Sequence, residues 1–325
     1  MHVIKHSFHL ISTPLAIIIN LSLQKGIFPD KLKIANVIPI YKADDPSHFT
    51  KYRTISLLSN FSKFFEKVMY NRTIEFAEQC NKLYRCQFGF HKNYSTSHAL
   101  IHVINRISSV IDQCETTVSV FRDLSKAFDT LDHQILFTKL ENYGVRDVAL
   151  QWIKSYFSCR QQFVQINQTC ASMQTIKCGV PQGCILSPLF FILYINDLLK
   201  ASKLTELLLF ADDTSIFFSH SNPNYLENVL NNELLNIDVW LRCNKLSVNI
   251  KKTNYVTFSP SQRKLNHSFS LSFGGQPLIQ SNGTKFLGVY LDEHLTWKYH
   301  INFVCKQIAK SIEPPPPPLI PRLMG

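Results

Sequence analysis

Residues 207–218 have the sequence LLLFADDTSIFF, in which two adjacent carboxylates, Asp212 and Asp213, separate two apolar runs. Apolar runs on either side of a short polar step predict two buried strands joined as a β-hairpin. Neighbouring carboxylates repel each other, so the pair is tolerated where it faces water or where divalent cations neutralise it. In isolation an Asp-Asp pair is most often an acidic turn, so a second observation is needed to indicate a metal site.

That second observation is the segment 118–123, VSVFRD, in which Asp123 ends another apolar run. If the two strands are neighbours in one sheet, Asp123, Asp212 and Asp213 converge at its end. Carboxylate oxygens suit Mg²⁺, and two such ions about 3.5–4 Å apart serve phosphoryl displacement in both polymerases and nucleases. Carboxylate spacing alone does not distinguish these two classes of enzyme.

Composition and charge are compatible with either class. The chain has 325 residues, of which 45% are hydrophobic, enough for one large domain or for two or three lobes. A formal net charge of +11 favours a polyanionic partner, although a merely basic protein has the same charge. The nine cysteines include no C-x-x-C pair, which predicts reduced thiols in an intracellular protein, in either nucleus or cytoplasm. The nearest approach to a zinc cluster along the chain, Cys80, Cys86, His91 and His98, has no structural zinc spacing.

Hydrophobic periodicity predicts a mixed α/β chain without internal repeats. Residues 9–23 are apolar but interrupted by Pro14, which predicts a packed helix rather than a membrane span. Ser95 or Thr96 is expected to cap a helix, Gly144 to separate two helices, and Ser187-Pro188 to begin another. Strands are predicted at 34–41, 162–166, 174–177, 255–258 and 269–273, and helices at 57–76, 95–112, 132–143, 145–157, 187–199, 225–241 and 294–312.

Eight segments, in order, resemble those of one family. They are VIPIYK (37–42), YRTISLLS (52–59), QFGF (87–90), FRDLSKAFD (121–129), GVPQGCILSP with YIND (179–197), FADD (210–213), WLRCNKLS through Lys252-Thr253 (240–253) and FLGVYLD (286–292). Together they resemble the reverse transcriptase domain of non-LTR (LINE-type) retrotransposons, from about residue 26 to residue 312. One Asp-Asp pair is a weak signal, whereas eight segments in the family's order are a strong one.

The resemblance implies an α+β fold, the right-hand polymerase, with a palm of antiparallel sheet and packed helices, fingers and a partial thumb. It divides the chain into fingers with an N-terminal helical segment (1–115), palm with interleaved fingers elements (116–285), primer-grip strands with the start of a thumb (286–312) and a proline-rich disordered tail (313–325). It also implies a C-terminally truncated copy with no endonuclease domain before the fingers.

The implied activity is RNA-directed DNA polymerisation, a nucleotidyl transfer that adds deoxynucleotides to a primer 3′-hydroxyl. Its implied partners are an RNA template, a DNA primer and deoxynucleoside triphosphates. The implied cofactor is Mg²⁺, two ions, with Mn²⁺ as a substitute. No membrane partner is expected, and the sequence does not indicate an oligomeric state.

The resemblance also implies roles for individual residues. Phe128 stands where the family has an aromatic ring that excludes a ribose 2′-hydroxyl, although an ordinary core Phe fits the sequence equally well. Asp129 is expected to be structural, and Lys251 competes with Lys252 for the role of proton donor to pyrophosphate. The implied catalytic residues are Asp123, Asp212, Asp213 and Lys252, of which the three aspartates bind metal. The implied nucleotide-binding residues are Lys42, Arg53, Lys126, Ala127, Phe128, Gln182 and Gly183, and the primer grip is Phe286, Leu287 and Gly288.

Three positions depart from the family pattern. Arg122 replaces an apolar or small residue before Asp123, Thr54 replaces a proline, and His91 replaces a basic residue. On a strand, Arg122 points away from Asp123 into the underside of the sheet, where an unpaired charge costs several kcal/mol. This departure favours an alternative, a catalytically weakened or inactive remnant that only binds nucleic acid.

Overall fold

Two β-sheets assembled from distant parts of the chain frame the functional region. The structure is a computed structural model that describes residues 8–42, 45, 47–48, 51–91, 94–125, 127–166, 168–260, 262 and 267–312. Lys126 and the proline-rich residues 313–325 lie outside the described residues, and Asp123 is described by its backbone.

The central sheet contains both strands that were predicted to end in carboxylates. Its five strands are β3 (Thr116–Asp123), β7 (Glu206–Phe210), β8 (Asp213–His220), β9 (Asn254–Phe258) and β12 (Ile279–Gln280). They lie side by side in the order β12-β9-β3-β8-β7. β3 pairs antiparallel with β8 and with β9, and β7 pairs antiparallel with β8. The sheet is therefore antiparallel except at its edge, where β12 runs parallel to β9.

A second sheet lies on the other side of the functional region. It comprises β1 (Ile34–Tyr41), β2 (Tyr52–Leu57), β4 (Gln161–Ile166), β5 (Thr169–Cys170) and β6 (Gln174–Thr175). β1 pairs antiparallel with β2 and parallel with β4, so residues more than a hundred positions apart share this sheet. Two small hairpins complete the strands: β10 (Ser272–Phe273) with β11 (Gln276–Pro277), and β13 (Gly283–Phe286) with β14 (Val289–Asp292).

Helices pack against the central sheet and against one another. They are α1 (Phe8–Lys25), α2 (Asn60–Gln79), α3 (Thr96–Asp112), α4 (Ala127–Thr130), α5 (His133–Tyr143), α6 (Asp147–Phe157), α7 (Leu186–Ile195), α8 (Pro223–Cys243) and α9 (Lys298–Ile312), with 3₁₀ turns at Asp30–Leu32, Asn196–Ala201 and Ile250–Lys252. α7 is apolar on every side and lies at the centre of the largest hydrophobic cluster, as expected of such a helix.

Local signals predicted several helix ends. The Ser95 hydroxyl accepts a hydrogen bond from the His98 N–H at the start of α3, which confirms the predicted cap. Gly144 ends α5 with φ +103°, a left-handed conformation that glycine adopts without strain. The structure therefore separates α5 from α6 where the sequence predicted a break.

Two predicted elements differ because distant side chains bind their backbone. α7 begins at Leu186, and the buried Glu66 carboxylate accepts the Ile185 N–H at 2.8 Å in place of a Ser187 cap. The strand predicted at 269–273 is reduced to Ser272–Phe273. Side chains of α8 accept hydrogen bonds from its backbone instead: Glu227 accepts the Ser270 N–H, and Asn231 accepts the Ser272 N–H.

The apolar N-terminal segment forms α1, which confirms the predicted helix, but it is packed only in part: Ile19 is buried, whereas Leu10, Ile17, Ile18 and Leu21 are exposed. Within the described part of the chain, no helix combines the length and apolar character that a bilayer crossing requires.

Candidate active site

The two adjacent carboxylates lie at the turn between β7 and β8. Phe210 pairs with Asp213, so Ala211 and Asp212 form the turn. Asp212 is half-buried and Asp213 is exposed. Ala211 has φ +55°, a left-handed conformation that costs a residue with a Cβ about 1 kcal/mol. A turn held in this conformation must be supported by its surroundings.

Residues 86–89 provide that support. The Gln87 side chain, which is almost fully buried, accepts the Ala211 N–H at 3.3 Å and the Gly89 N–H at 2.9 Å through one oxygen. On either side of Gln87, Phe88 N–H donates to the Leu209 carbonyl and Cys86 accepts the Leu209 N–H. A Cβ on Gly89 would lie 2.2 Å from the Ala211 nitrogen. Gly89 therefore allows this segment to contact the backbone of the turn directly.

The end of β3 lies beside this turn. In the register between β3 and β8, Asp123 is opposite Asp213 and Arg122 is opposite Thr214. Directly opposite residues of an antiparallel pair have Cα atoms about 4.5–5.5 Å apart. The backbones of these two strand ends, which are 90 residues apart in numbering, are therefore adjacent, as the sequence predicted. Several acidic residues at one exposed strand end are a donor set that fits a hard divalent cation.

A cleft of about 1410 Å³ opens between the two sheets next to this turn. Asp212 lines it, together with Leu124 and Ser125, which follow β3. Of the residues that the sequence predicted to bind nucleotide or act in catalysis, the cleft also contains Lys42, Arg53, Ala127, Phe128, Gln182, Gly183 and Lys252. These come from five separate parts of the chain, so the fold has gathered them into one concave surface.

The cationic side chains that line the cleft come from opposite sides of it. Lys42 follows β1, and Arg53 lies on the neighbouring β2, where it pairs in register with Ile40. Lys252 ends the 3₁₀ turn before β9 and lines the cleft, whereas Lys251 is not among the lining residues. Of the two neighbouring lysines, Lys252 is therefore the one that faces the cleft. All three cationic side chains are exposed, as binding of an external anion requires.

Phe128 contributes an aromatic ring to the surface of the cleft. Its ring lies 4.6 Å from that of Phe191 on α7 and 6.4 Å from that of Phe90, between centroids. The side chain is half-buried and lines the cleft, so it is both packed in the core and accessible from the cleft.

The Gln182-Gly183 turn is fixed by contacts that the sequence did not reveal. The Gln182 side chain donates to the Asp129 carboxylate at 2.7 Å, and its backbone carbonyl accepts the Ser56 N–H at 2.8 Å. Asp129, predicted to be structural, thus holds a side chain of the cleft. Gly179 makes this approach possible, because a Cβ there would lie 2.5 Å from the Asp129 carbonyl oxygen.

Behind this turn lies Glu66, a fully buried carboxylate that no sequence pattern singled out. It accepts hydrogen bonds from Ser62, Tyr156 and the Ile185 N–H. Burial, with the nearby Glu66 charge as a second cause, raises the pKa of the Cys184 thiol to about 12. The thiol next to the Gln182-Gly183 turn is therefore protonated.

The predicted primer-grip residues lie elsewhere. Leu287 and Gly288 form the turn of the β13–β14 hairpin, with φ +47° and +91°. Phe286 is buried, and its ring lies 5.7 Å from that of Phe121 on β3. None of the three lines the cleft; they flank the central sheet instead.

Arg122 is buried in the underside of the central sheet, as predicted. Its side chain is 3% exposed, and its three guanidinium nitrogens have no hydrogen-bond partner within the described residues. The nearest aromatic contact is the ring of Phe273, 5.7 Å from the guanidinium carbon. Burial lowers the pKa of Arg122 to about 9, with a smaller opposing effect from the Asp238 charge. The Asp238 carboxylate is itself hydrogen-bonded to Arg242.

The acidic strand ends, the helix-backed sheet and the opposing sheet across a cleft define the palm and fingers of a right-hand polymerase. Solved structures support the fold. A telomerase without ligand from Candida tropicalis matches with a TM-score of 0.55 at 14% identity, over 89% of this chain and 53% of that one. A telomerase from Candida albicans in complex with an RNA fragment matches with a TM-score of 0.52 at 13% identity, over 88% of this chain and 51% of that one.

Sequence comparison establishes the family. Residues 40–291 match the family model "Reverse transcriptase (RNA-dependent DNA polymerase)", and the chain belongs to this family. It is similar to the probable RNA-directed DNA polymerase from transposon BS of Drosophila melanogaster, at 29% identity over 92% of this chain and 34% of that protein. It is also similar to the RNA-directed DNA polymerase from mobile element jockey of the same species, at 28% identity over 88% of this chain and 32% of that protein. The chain spans about a third of the length of these relatives.

Proposed function

We propose that this chain is an RNA-directed DNA polymerase that adds deoxynucleotides to the 3′-hydroxyl of a primer. The observation that carries the proposal is the pairing of Asp123 with Asp213 at the end of the central sheet, beside the cleft that Asp212 lines. The family membership and the names of the relatives support the same activity.

The three aspartates are the residues that would hold two divalent cations, Mg²⁺ or Mn²⁺. When bound, such ions stabilise the negative charge that develops during in-line phosphoryl transfer and lower the pKa of an attacking hydroxyl. The chain's own contribution is to hold the acidic residues together: the β3–β8 register aligns Asp123 with Asp213, and Gln87 fixes the turn that carries Asp212.

The rest of the cleft would bind the incoming nucleotide. Lys42 and Arg53 would contact its β- and γ-phosphates, Lys42 through its single ammonium group and Arg53 through two guanidinium N–H groups at once. Phe128 would lie against the sugar and exclude a ribose 2′-hydroxyl. Gln182 and Gly183 would contact the nucleotide from the other side, and the backbone of Lys126 and Ala127 would face the triphosphate. Lys252 would donate a proton to the leaving pyrophosphate.

An RNA template and a DNA primer would be the macromolecular partners. The net charge of +11 suits a polyanion, and the β13–β14 hairpin with Phe286, Leu287 and Gly288 would hold the primer end beside the central sheet. We assign the fingers to residues 1–115, the palm to 116–285 and the start of a thumb to 286–312.

One observation favours the alternative, an inactive remnant that only binds nucleic acid. Arg122, buried without a hydrogen-bond partner in the described part of the chain, directly precedes Asp123. Strain on β3 at this point would displace Asp123 from its position opposite Asp213, and a displacement of 1 Å can cost about 100-fold in rate.

The test is primer extension on an RNA template with Mg²⁺ and deoxynucleotides, comparing the wild type with Asp212→Asn. Asp112→Asn, the same substitution at an exposed position at the end of α3, is the matched control. We expect extension by the wild type and the control and a loss of at least 100-fold in Asp212→Asn. Binding without extension by the wild type would support the remnant, and degradation of the template would support a metal nuclease.

A further inference from the structure

Three metal-binding side chains outside the proposed active site converge from separate segments. Cys86 lies in the segment that supports the hairpin turn, His102 lies on α3, and Glu206 begins β7. One ligand atom from each lies within 4.8 Å of the other two. His102 Nε2 is 2.8 Å from one carboxylate oxygen of Glu206. The cluster is formed by tertiary packing, since Cys86 and Glu206 are 120 residues apart in numbering.

The donor set has a definite chemical preference. A thiolate, an imidazole and a carboxylate are ligands of Zn²⁺, whereas Mg²⁺ takes oxygen donors. Zinc bonds of about 2.0–2.3 Å in tetrahedral geometry place neighbouring ligand atoms roughly 3.3–3.6 Å apart. The three ligand atoms lie within 4.8 Å of one another, and His102 Nε2 lies 2.8 Å from Glu206, so the present spacing is close to this distance. Small side-chain rotations would bring the three atoms to a common centre.

The surroundings of Glu206 support the same role. Its second oxygen accepts a hydrogen bond from Arg106 Nε at 2.9 Å, so one oxygen is held while the other faces His102. Carboxylate ligands of metals are commonly oriented by such an outer hydrogen bond. The side chains of His102 and Glu206 are 37% and 30% exposed, and Cys86 is half-buried, so an ion can reach the cluster from solvent.

We propose that Cys86, His102 and Glu206 form a binding site for a zinc-class transition-metal ion, with solvent completing the coordination. The site is separate from the proposed magnesium site. Glu206 begins β7 and Phe210 ends it next to the Asp212 turn, and four residues of strand span about 13 Å. The ion would tie α3 and residues 86–89 to β7.

A metal ion bound at this site would act indirectly on the turn between β7 and β8. Gln87, next to Cys86, is the residue that accepts the Ala211 N–H, and Cys86 itself accepts the Leu209 N–H through its backbone. Metal bound at Cys86 would therefore rigidify the segment that positions the turn. The role is structural, and it does not depend on whether the chain polymerises DNA.

Cobalt(II) titration of the full chain, freed of metal and kept reduced, tests this proposal. A thiolate bound to Co²⁺ gives a charge-transfer absorption that carboxylate sites, including the aspartate cluster, do not give. We expect this absorption to saturate at one ion per chain, to disappear in Cys86→Ser and to be reversed by Zn²⁺. His102→Gln should weaken binding at least tenfold, and Cys80→Ser, an exposed thiol at the end of α2, should leave it unchanged.

A second measurement on the wild type does not depend on variants that fold. Zn²⁺ should protect Cys86 from alkylation, read by mass spectrometry, while Cys80 and Cys114 stay reactive. No charge-transfer absorption, or the same absorption in Cys86→Ser, or unprotected Cys86, would overturn the metal site and leave only a hydrogen-bonded Arg106–Glu206–His102 cluster. Primer extension with Mg²⁺ is assayed separately, so failure of either proposal is distinguished from failure of the other.

Discussion

Arg122 places a guanidinium group where the described residues of the sheet provide no hydrogen-bond acceptor for it. Its three nitrogens lack hydrogen bonds within the described residues, and Asp238, the acid whose charge acts on it, is already bound to Arg242. A buried charge without a partner costs free energy that an apolar side chain of similar size does not. We therefore expect Arg122 to destabilise the central sheet.

Replacing Arg122 should stabilise the protein. We expect Arg122→Met to raise the free energy of unfolding at pH 7 by about 1–4 kcal/mol, measured by urea denaturation. Arg72→Met, at an exposed position of α2, is the control and should change it by less than about 0.5 kcal/mol. A destabilised Arg122→Met would show instead that the guanidinium is compensated.

The pH dependence of this difference has a definite sign. The folded pKa of Arg122, about 9, lies below the ordinary value of 12.5, so the unfolded chain binds more protons between these values. The penalty is thus fully present below pH 9 and is relieved as the pH rises. The advantage of Arg122→Met should shrink above pH 9, provided that both variants remain folded.

Asp129 and Gln182 act as a pair at the edge of the cleft. Their 2.7 Å hydrogen bond fixes the side chain that we propose contacts the incoming nucleotide. Asp129→Ala should raise KM for deoxynucleotides several-fold with little change in kcat, corresponding to about 1 kcal/mol for a lost hydrogen bond. The double variant with Gln182→Ala should be no worse than Gln182→Ala alone. Additive effects in this cycle would mean that the two residues act independently.

The β7–β8 hairpin does not hold its own turn. The left-handed Ala211 is kept in place by Gln87 and by the close approach of Gly89, which come from a segment about 120 residues earlier in the chain. The element that presents Asp212 therefore includes residues 86–89 as well as the two strands. This dependence makes the position of the turn sensitive to one methyl group.

Gly89→Ala tests that dependence. Its Cβ would lie 2.2 Å from the Ala211 nitrogen and 2.9 Å from the Phe210 carbonyl carbon, so the turn must move. We expect kcat for primer extension to fall about 100-fold, since a displacement near 1 Å at reacting groups has this effect. Gly275→Ala, at φ +78° with open space around the Cβ, is the control: it should lose stability but keep its kcat. An unchanged kcat in Gly89→Ala would show that the turn tolerates the shift.

The chain has a formal net charge of +11, and this charge would govern its encounter with the proposed nucleic-acid partners. Positive side chains that neutralise phosphates release counterions, so affinity falls linearly with salt on logarithmic axes. We expect affinity for an RNA–DNA duplex, measured by fluorescence anisotropy, to fall by about 10³ between 50 and 200 mM salt. Asp212→Asn should bind at least as tightly as the wild type, because it removes a negative charge. A flat salt dependence would contradict a polyanionic partner.

The sequence by itself determined the elements and the class of chemistry. Short apolar runs that are followed closely by aspartate indicate strands that present carboxylates, and these local patterns depend only on residues a few positions apart. The same holds for the Ser95 cap and the break at Gly144. The ordered motifs extended this to the family and to the residues around the cleft.

Only the tertiary structure decided which distant groups touch. The Asp129–Gln182 hydrogen bond spans 53 residues, that of Glu66 to Ile185 spans 119, and that of Gln87 to Ala211 spans 124. The meeting of Cys86, His102 and Glu206 and the isolation of Arg122 belong to the same category. Such contacts depend on how sheets and helices pack and on sub-ångström steric fit, and neither leaves a periodic trace along the chain.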